Sequence, residues 1–230
     1  MPVPRFAVVL ASTALALEFV GLLTLALDAP PSIAIPLSME APFSLARLFV
    51  AGVFVAAAVA AGLGASRMPG RRTWWTAVAA VAAGIAVVKV GGNLHVTVLR
   101  AVAGDDPVRG LLLSAPLALA TVGWLWWLSR HERRDRRRLL TCLGAYAVAA
   151  VGLSAVSTAV THMWGLRAAA PAIFVEESGE ALAGVAFLVA VLIGVAPRLV
   201  LPAGWTRRAA DAHSLELPVV QPGRVTETGR

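Results

Sequence analysis

Six apolar runs dominate the chain, each close to the ~20 residues that a helix needs to cross a hydrocarbon layer of ~30 Å. They lie at Phe6 to Leu27, Leu48 to Ser66, Thr73 to Val90, Gly110 to Ser129, Leu139 to Trp164 and Phe174 to Pro197. In lipid every backbone polar group must find its partner within the protein, so runs of this length read as helices. The expected fold is therefore all-α, a polytopic six-span bundle over residues 1–200. A flexible cytoplasmic tail, rich in Pro, Gly and charge, is expected over residues 201–230. With 58% hydrophobic and 14% charged residues and a mean hydropathy of +0.77, the chain lies outside the range of soluble domains. The first run contains Glu18 and lacks an A-x-A cleavage site, so it reads as a retained span rather than a signal peptide.

Basic residues set the direction. Arg5, the Arg67, Arg71 and Arg72 group, the six arginines of "RHERRDRRR" at 130–138 and the tail arginines fall on one side. Only Arg47, Arg100, Arg109 and Arg167 fall on the other, which places both termini in the cytoplasm. Trp74, Trp75, Trp124, Trp126 and Trp127 would then mark the inner interface and Trp164 the outer one. The formal net charge of +7 does not read as nucleic-acid binding, because the arginines sit in short gaps between apolar runs and form no basic face. The lipid bilayer is the expected partner, and the 130–138 cluster is suited to anionic lipid or an acidic protein. The dominance of Arg over a single lysine, Lys89, with much Ala, Gly and Val, suggests a GC-rich genome and hence a bacterial cytoplasmic membrane. One cysteine, Cys142, allows no intrachain disulfide.

Small residues let helices approach closely in lipid, and the stripe Gly52, Ala56, Ala60, Gly64 predicts the packing face of the second span. In the fifth span Ser154, Ser157, Thr158 and Thr161 recur at three- and four-residue spacing. Such hydroxyls either bond back to their own helix or line a polar cavity.

Ionisable groups within spans are costly and mark functional sites by default. Glu18 stands thirteen residues beyond Arg5, about 20 Å into the core. Lys89 lies near the outer end of the third span, within reach of Glu18, and an ion pair between them is one expectation. Gly91 and Gly92 weaken the helix before Asn93 and His95. The sixth span opens with Glu176, Glu177 and Glu180, read as an acid group at the outer boundary near a helix start that follows Pro171. Seventeen uncharged residues separate Glu180 from Arg198.

Glu18, Lys89, Asn93, Glu176, Glu177 and Glu180 thus form a candidate proton, ion or substrate site, lined by Ser154, Thr158 and Thr161. His95, His162, Glu177 and Glu180 carry ligand types suited to a transition metal, but no metal-binding spacing motif joins them. The leading expectation is proton- or cation-linked transport of a small solute through an outward-facing Glu/His site. An intramembrane enzyme acting on a lipid or isoprenoid at the outer leaflet, with or without a metal, is one alternative. A non-catalytic accessory or assembly subunit is the other.

Overall fold

The computed structural model describes residues 4–91, 107–130 and 133–200. Asn93, His95 and the expected tail lie outside them. The described chain is helical: α1 Arg5–Ala26, α2 Pro31–Leu37, α3 Leu45–Arg67, α4 Arg72–Val90, α5 Pro107–Leu128, α6 Arg133–Ala147, α7 Ser154–Trp164, α8 Leu166–Val195 and α9 Pro197–Val200. A π-type turn, Val148–Leu153, joins α6 to α7 without a break, so Asp135–Trp164 forms one apolar span. Among the described residues five segments are long and apolar enough to cross a bilayer: α1, α3, the Pro69–Val90 segment containing α4, Asp135–Trp164, and α8. The expected fourth span coincides with α5, of which Ser114–Leu128 is a shorter apolar helix.

Helix α8 is the hub, packing against α1, α3, α6 and α7. Helices α3 and α4 form an antiparallel hairpin across the tight Pro69–Arg71 turn. Gly165, at φ +85°, is the only residue between α7 and α8 and reverses the chain there; a positive φ of this kind favours glycine. The bundle has two distinct ends. At one end Arg47 of α3 donates from Nε to Lys89 O at 3.0 Å and from a terminal nitrogen to Val88 O at 3.3 Å, satisfying carbonyls that close α4. The same guanidinium donates to Glu40 O at 2.9 Å, tying the α2–α3 loop to both helices. At the opposite end Arg71 meets Asp135 at 2.5 Å and lies over the Trp75 ring, 5.4 Å from its centroid.

The core differs from the expected packing in one place. On α3 the buried face is Val50, Val53, Phe54, Ala57, Ala61, Gly64 and Ala65, whereas Gly52 and Ala56 of the expected stripe are exposed. An added Cβ at Gly52 would meet nothing within 4 Å, while one at Gly184 of α8 would stand 3.0 Å from Phe54 Cε2. Close approach of α3 to α8 therefore runs through Gly184 and through Gly64, the last residue of the expected stripe, where a Cβ would stand 2.4 Å from Val195 Cγ1. Trp74 and Trp75, in the first turn of α4 at the Arg71 end, are buried against the bundle at 3% and 0% exposure. Trp124, Trp126, Trp127 and Trp164 are exposed.

Substituting Gly184→Leu should destabilise the protein by about 1–3 kcal/mol through overpacking against Phe54. The matching Gly52→Leu change should lie within about 0.5 kcal/mol of the parent. Thermal unfolding of the detergent-solubilised variants makes this comparison, and equal losses would mean that the Gly52 stripe is a packing face.

Candidate functional site

The position of the three glutamates follows from where α8 begins. It starts at Leu166, eight residues before the expected start, and absorbs Pro171 within its second turn, where the cost is one backbone hydrogen bond near the helix end. Glu176, Glu177 and Glu180 become the eleventh, twelfth and fifteenth residues of a 30-residue helix. Glu180 therefore lies about 21 Å along a rod of about 45 Å. Helix-end electrostatics fade within the first turn, so they do not account for these acids. All three are buried, at 4–6% exposure.

What holds them is Lys89. It is the penultimate residue of α4, and its side chain turns inward to 4% exposure. Nζ donates to Glu177 Oε2 at 2.7 Å and lies 2.8 Å from Glu180 Oε2. The second approach is an ion pair without hydrogen-bond alignment, and Glu180 Oε2 has no donor. The Tyr146 hydroxyl of α6 lies against the same Glu180 carboxylate. The expected Glu18–Lys89 pair does not form, because Lys89 reaches across to α8 instead. Glu18 of α1 is 1% exposed and stands within electrostatic reach of Lys89, Glu177, Glu180 and Arg47, yet its Oε2 has no hydrogen-bond partner. Three carboxylates from two helices thus surround one ammonium from a third.

Toward the Glu40 end Ser157, the partner of Glu176, also lines an open cavity of about 360 Å³ whose wall is largely apolar, with Leu166 and Ile173 in it. Ser154, Ser157, Thr158, Thr161 and His162 line it from α7, with Glu40 at its rim. The hydroxyls serve in both of the ways the sequence allowed. Thr161 Oγ1 donates within its helix to Ser157 O at 2.8 Å, while the single proton of the Ser157 hydroxyl, within reach of both Ser154 O at 3.1 Å and Glu176 Oε2, is shared between the helix and the carboxylate. The π-type turn makes this possible: one extra residue in the ladder rotates everything after it by about 100°. Gly179 of α8 accommodates the turn, since a Cβ there would stand 3.3 Å from Ala149 Cβ. Glu40 lies within electrostatic reach of Glu176 and Glu177. Partial desolvation at the rim is the main cause that raises the Glu40 carboxyl above its ordinary value, and the charge of Glu177 adds to it.

Toward the Arg71 end the group is closed by aromatic packing. Phe54 meets Tyr146 edge-on at 5.1 Å and Phe187 at 5.8 Å between centroids, and Phe54 is fully buried. Beyond it Trp75 packs against Gly194. Access is therefore one-sided.

Sequence reasoning named Glu18, Lys89, Glu176, Glu177 and Glu180, which the fold brings together, and Ser154, Thr158, Thr161 and His162, which line the adjoining cavity. It missed Arg47 and Tyr146 as parts of the site. Tyr146 carried a usable signal: it is the one tyrosine in the chain, set in an apolar span where its hydroxyl requires a partner. Among the described residues no group of three or more His, Cys, Asp or Glu side chains is arranged to hold a metal ion; His95 is outside them. No family model, curated protein or solved structure matches this chain.

Removing one partner of a buried ion pair leaves the other charge uncompensated, at a cost of about 3–5 kcal/mol. Lys89→Met should show a loss of that size in thermal unfolding. Adding Glu177→Gln and Glu180→Gln to it should restore most of the stability, and a triple variant no better than Lys89→Met would mean that Lys89 contributes by packing alone.

Proposed function

We propose that this is a six-span membrane protein, with both termini in the cytoplasm, that carries a small polar solute coupled to a proton or another small cation. The observation that carries this reading is the Glu18 carboxylate. One of its oxygens is buried without a partner beside an ammonium already shared by Glu177 and Glu180. Within ion-pair distance neither Glu18 nor Glu176 has a basic partner among the described residues. Such an excess of buried acid is costly in a bilayer unless a cation offsets it, and a proton is the smallest one available. Uptake at this group would release Lys89 from one of its two carboxylates, loosening the contact that joins α4 to α8. A purely structural pair would be served by a one-to-one match sealed on both sides. Here the group is over-supplied with acid and, through Ser157, borders an open cavity at one end.

The arginine asymmetry supports placing the Glu40 end outside and the Arg71 end inside. In a Cys142→Ala background, a membrane-impermeant maleimide should label Ser32→Cys on intact cells and Ser66→Cys only after permeabilisation. Labelling of both from one side would overturn the orientation.

The transport reading is tested in proteoliposomes loaded with a pH-sensitive dye and exposed to a pool of cationic, zwitterionic and neutral polar solutes. Wild-type protein should couple solute entry to a pH change inside the vesicle. Glu18→Gln should reduce that signal by about tenfold or more with an unchanged unfolding temperature. Loss of folded protein in step with loss of flux would make Glu18 structural and sink the reading.

A further inference from the structure

Arginines at the Arg71 end fall into two sets. Arg71 pairs with Asp135, while Arg130 lies over the Trp127 ring at 5.2 Å and Arg136 over Trp126 at 4.4 Å, so the protein itself engages these three. Arg137 and Arg138 come next in α6, and among the described residues neither has a carboxylate or aromatic partner. Both line a groove of about 430 Å³ between α6 and α8. Its wall continues through Thr141 and Cys142, one turn along α6, and Ala186, Val189, Ala190 and Ile193 of α8. The α8 residues recur at three- and four-residue spacing and form one stripe about 10 Å long. Depth follows from two neighbours. Asp135 is level with the end of α8, since a Cβ at Gly194 would stand 3.5 Å from Asp135 Oδ2. Trp126 and Trp127 beside the cluster are exposed, and exposed tryptophans at the end of a span mark the headgroup level. The two arginines thus stand at headgroup height, and the apolar stripe runs from them toward the hydrocarbon. A groove of similar volume, about 410 Å³, between α3 and α4 toward the Glu40 end is lined by apolar residues alone, from Phe43 to Val90. Any acyl chain suits that groove, whereas two guanidinium groups at a groove's mouth add a demand for an anion there.

We propose that the α6–α8 groove is a binding site for an anionic phospholipid, whose phosphate docks on Arg137 and Arg138 while the upper part of one acyl chain lies along the α8 stripe. A soluble anion would use the arginines and leave the apolar wall bare. An acidic protein segment would meet the same difficulty, because the wall lies below headgroup height. A lipid answers both parts of the groove at once, its charge and its chain joined as the arginines and the stripe are joined. The site stands apart from the transport reading, although it grips α8, the helix that carries Glu177 and Glu180.

The test is native mass spectrometry of the full chain, purified in detergent, delipidated and titrated with dioleoyl phosphatidylglycerol, dioleoyl phosphatidylcholine or glycerophosphate. A single phosphatidylglycerol should be retained per chain, with phosphatidylcholine bound about tenfold more weakly and glycerophosphate not retained. Arg137→Gln combined with Arg138→Gln should bring phosphatidylglycerol down to the phosphatidylcholine level without changing the unfolding temperature, since Arg137 is exposed and Arg138 half-buried. Ala186→Trp, at an exposed position of the stripe, should fill the groove and weaken phosphatidylglycerol by about tenfold with both arginines in place. Arg67→Gln combined with Arg198→Gln removes the same charge outside the groove and should leave retention unchanged. Equal retention of the two lipids would make the groove an unselective chain slot, and glycerophosphate bound as tightly as the lipid would make it a phosphate site. Either result overturns the proposal, as would equal losses in the two double variants, indifference to Ala186→Trp, or chains that associate through this groove and retain no lipid.

Discussion

Lys89 lies where four lines of construction meet. Its ammonium joins α4 to α8 through Glu177 and Glu180, but it reaches them only because α4 stops one residue later, at Gly91 in a left-handed turn. That stop is held by Arg47, which occupies the last carbonyls of α4 from the start of α3. The loop before α3 closes over the same point, with Phe43 N–H donating to Val90 O at 3.1 Å. A lysine buried in a bilayer protein is tolerable only when its charge is met; Glu177 and Glu180 meet it, and the contacts to the α4 carbonyls hold the helix end from which it reaches them. The site and the scaffold are in this sense one set of interactions.

The two ends of the bundle are built from different materials. At the Glu40 end, hydroxyls, backbone carbonyls and carboxylates surround a cavity. At the Arg71 end, Phe54 and Phe187 pack together beneath the ionic group, Trp75 lies buried against Gly194, and the Arg71–Asp135 pair fastens the hairpin turn to α6. Polar contacts can exchange with water and solute at little net cost, whereas close aromatic packing yields only by rearranging as a unit. The resting arrangement is thus open on one side by chemistry and shut on the other by packing.

Much of this architecture was legible in the chain, though unevenly. Apolar runs located the helices because hydrocarbon demands a minimum length, and ionisable residues inside them drew attention because burial makes each one costly. The start of α8 was misread because Arg167 and the glutamates interrupt hydropathy, while backbone hydrogen bonding continues through them wherever neighbours cover their charges. Gly52 and Ala56 of the expected stripe were misplaced for a related reason. Lipid and protein interior are equally apolar, so composition alone does not tell which side of a helix meets which. Arg47 could not be paired with α4 from sequence, since its partners are backbone carbonyls some forty residues away.

The π-type turn between α6 and α7 has a consequence for how this protein can change over time. Loss of a single residue from Val148–Leu153 would leave an unbroken apolar segment, still long enough to span and unchanged to any measure of hydropathy. The regular helix so formed would turn Ser157 about 100° away from Glu176. A deletion silent at the level of membrane insertion would therefore erase one wall of the cavity, so the length of this segment is fixed by the site rather than by the bilayer.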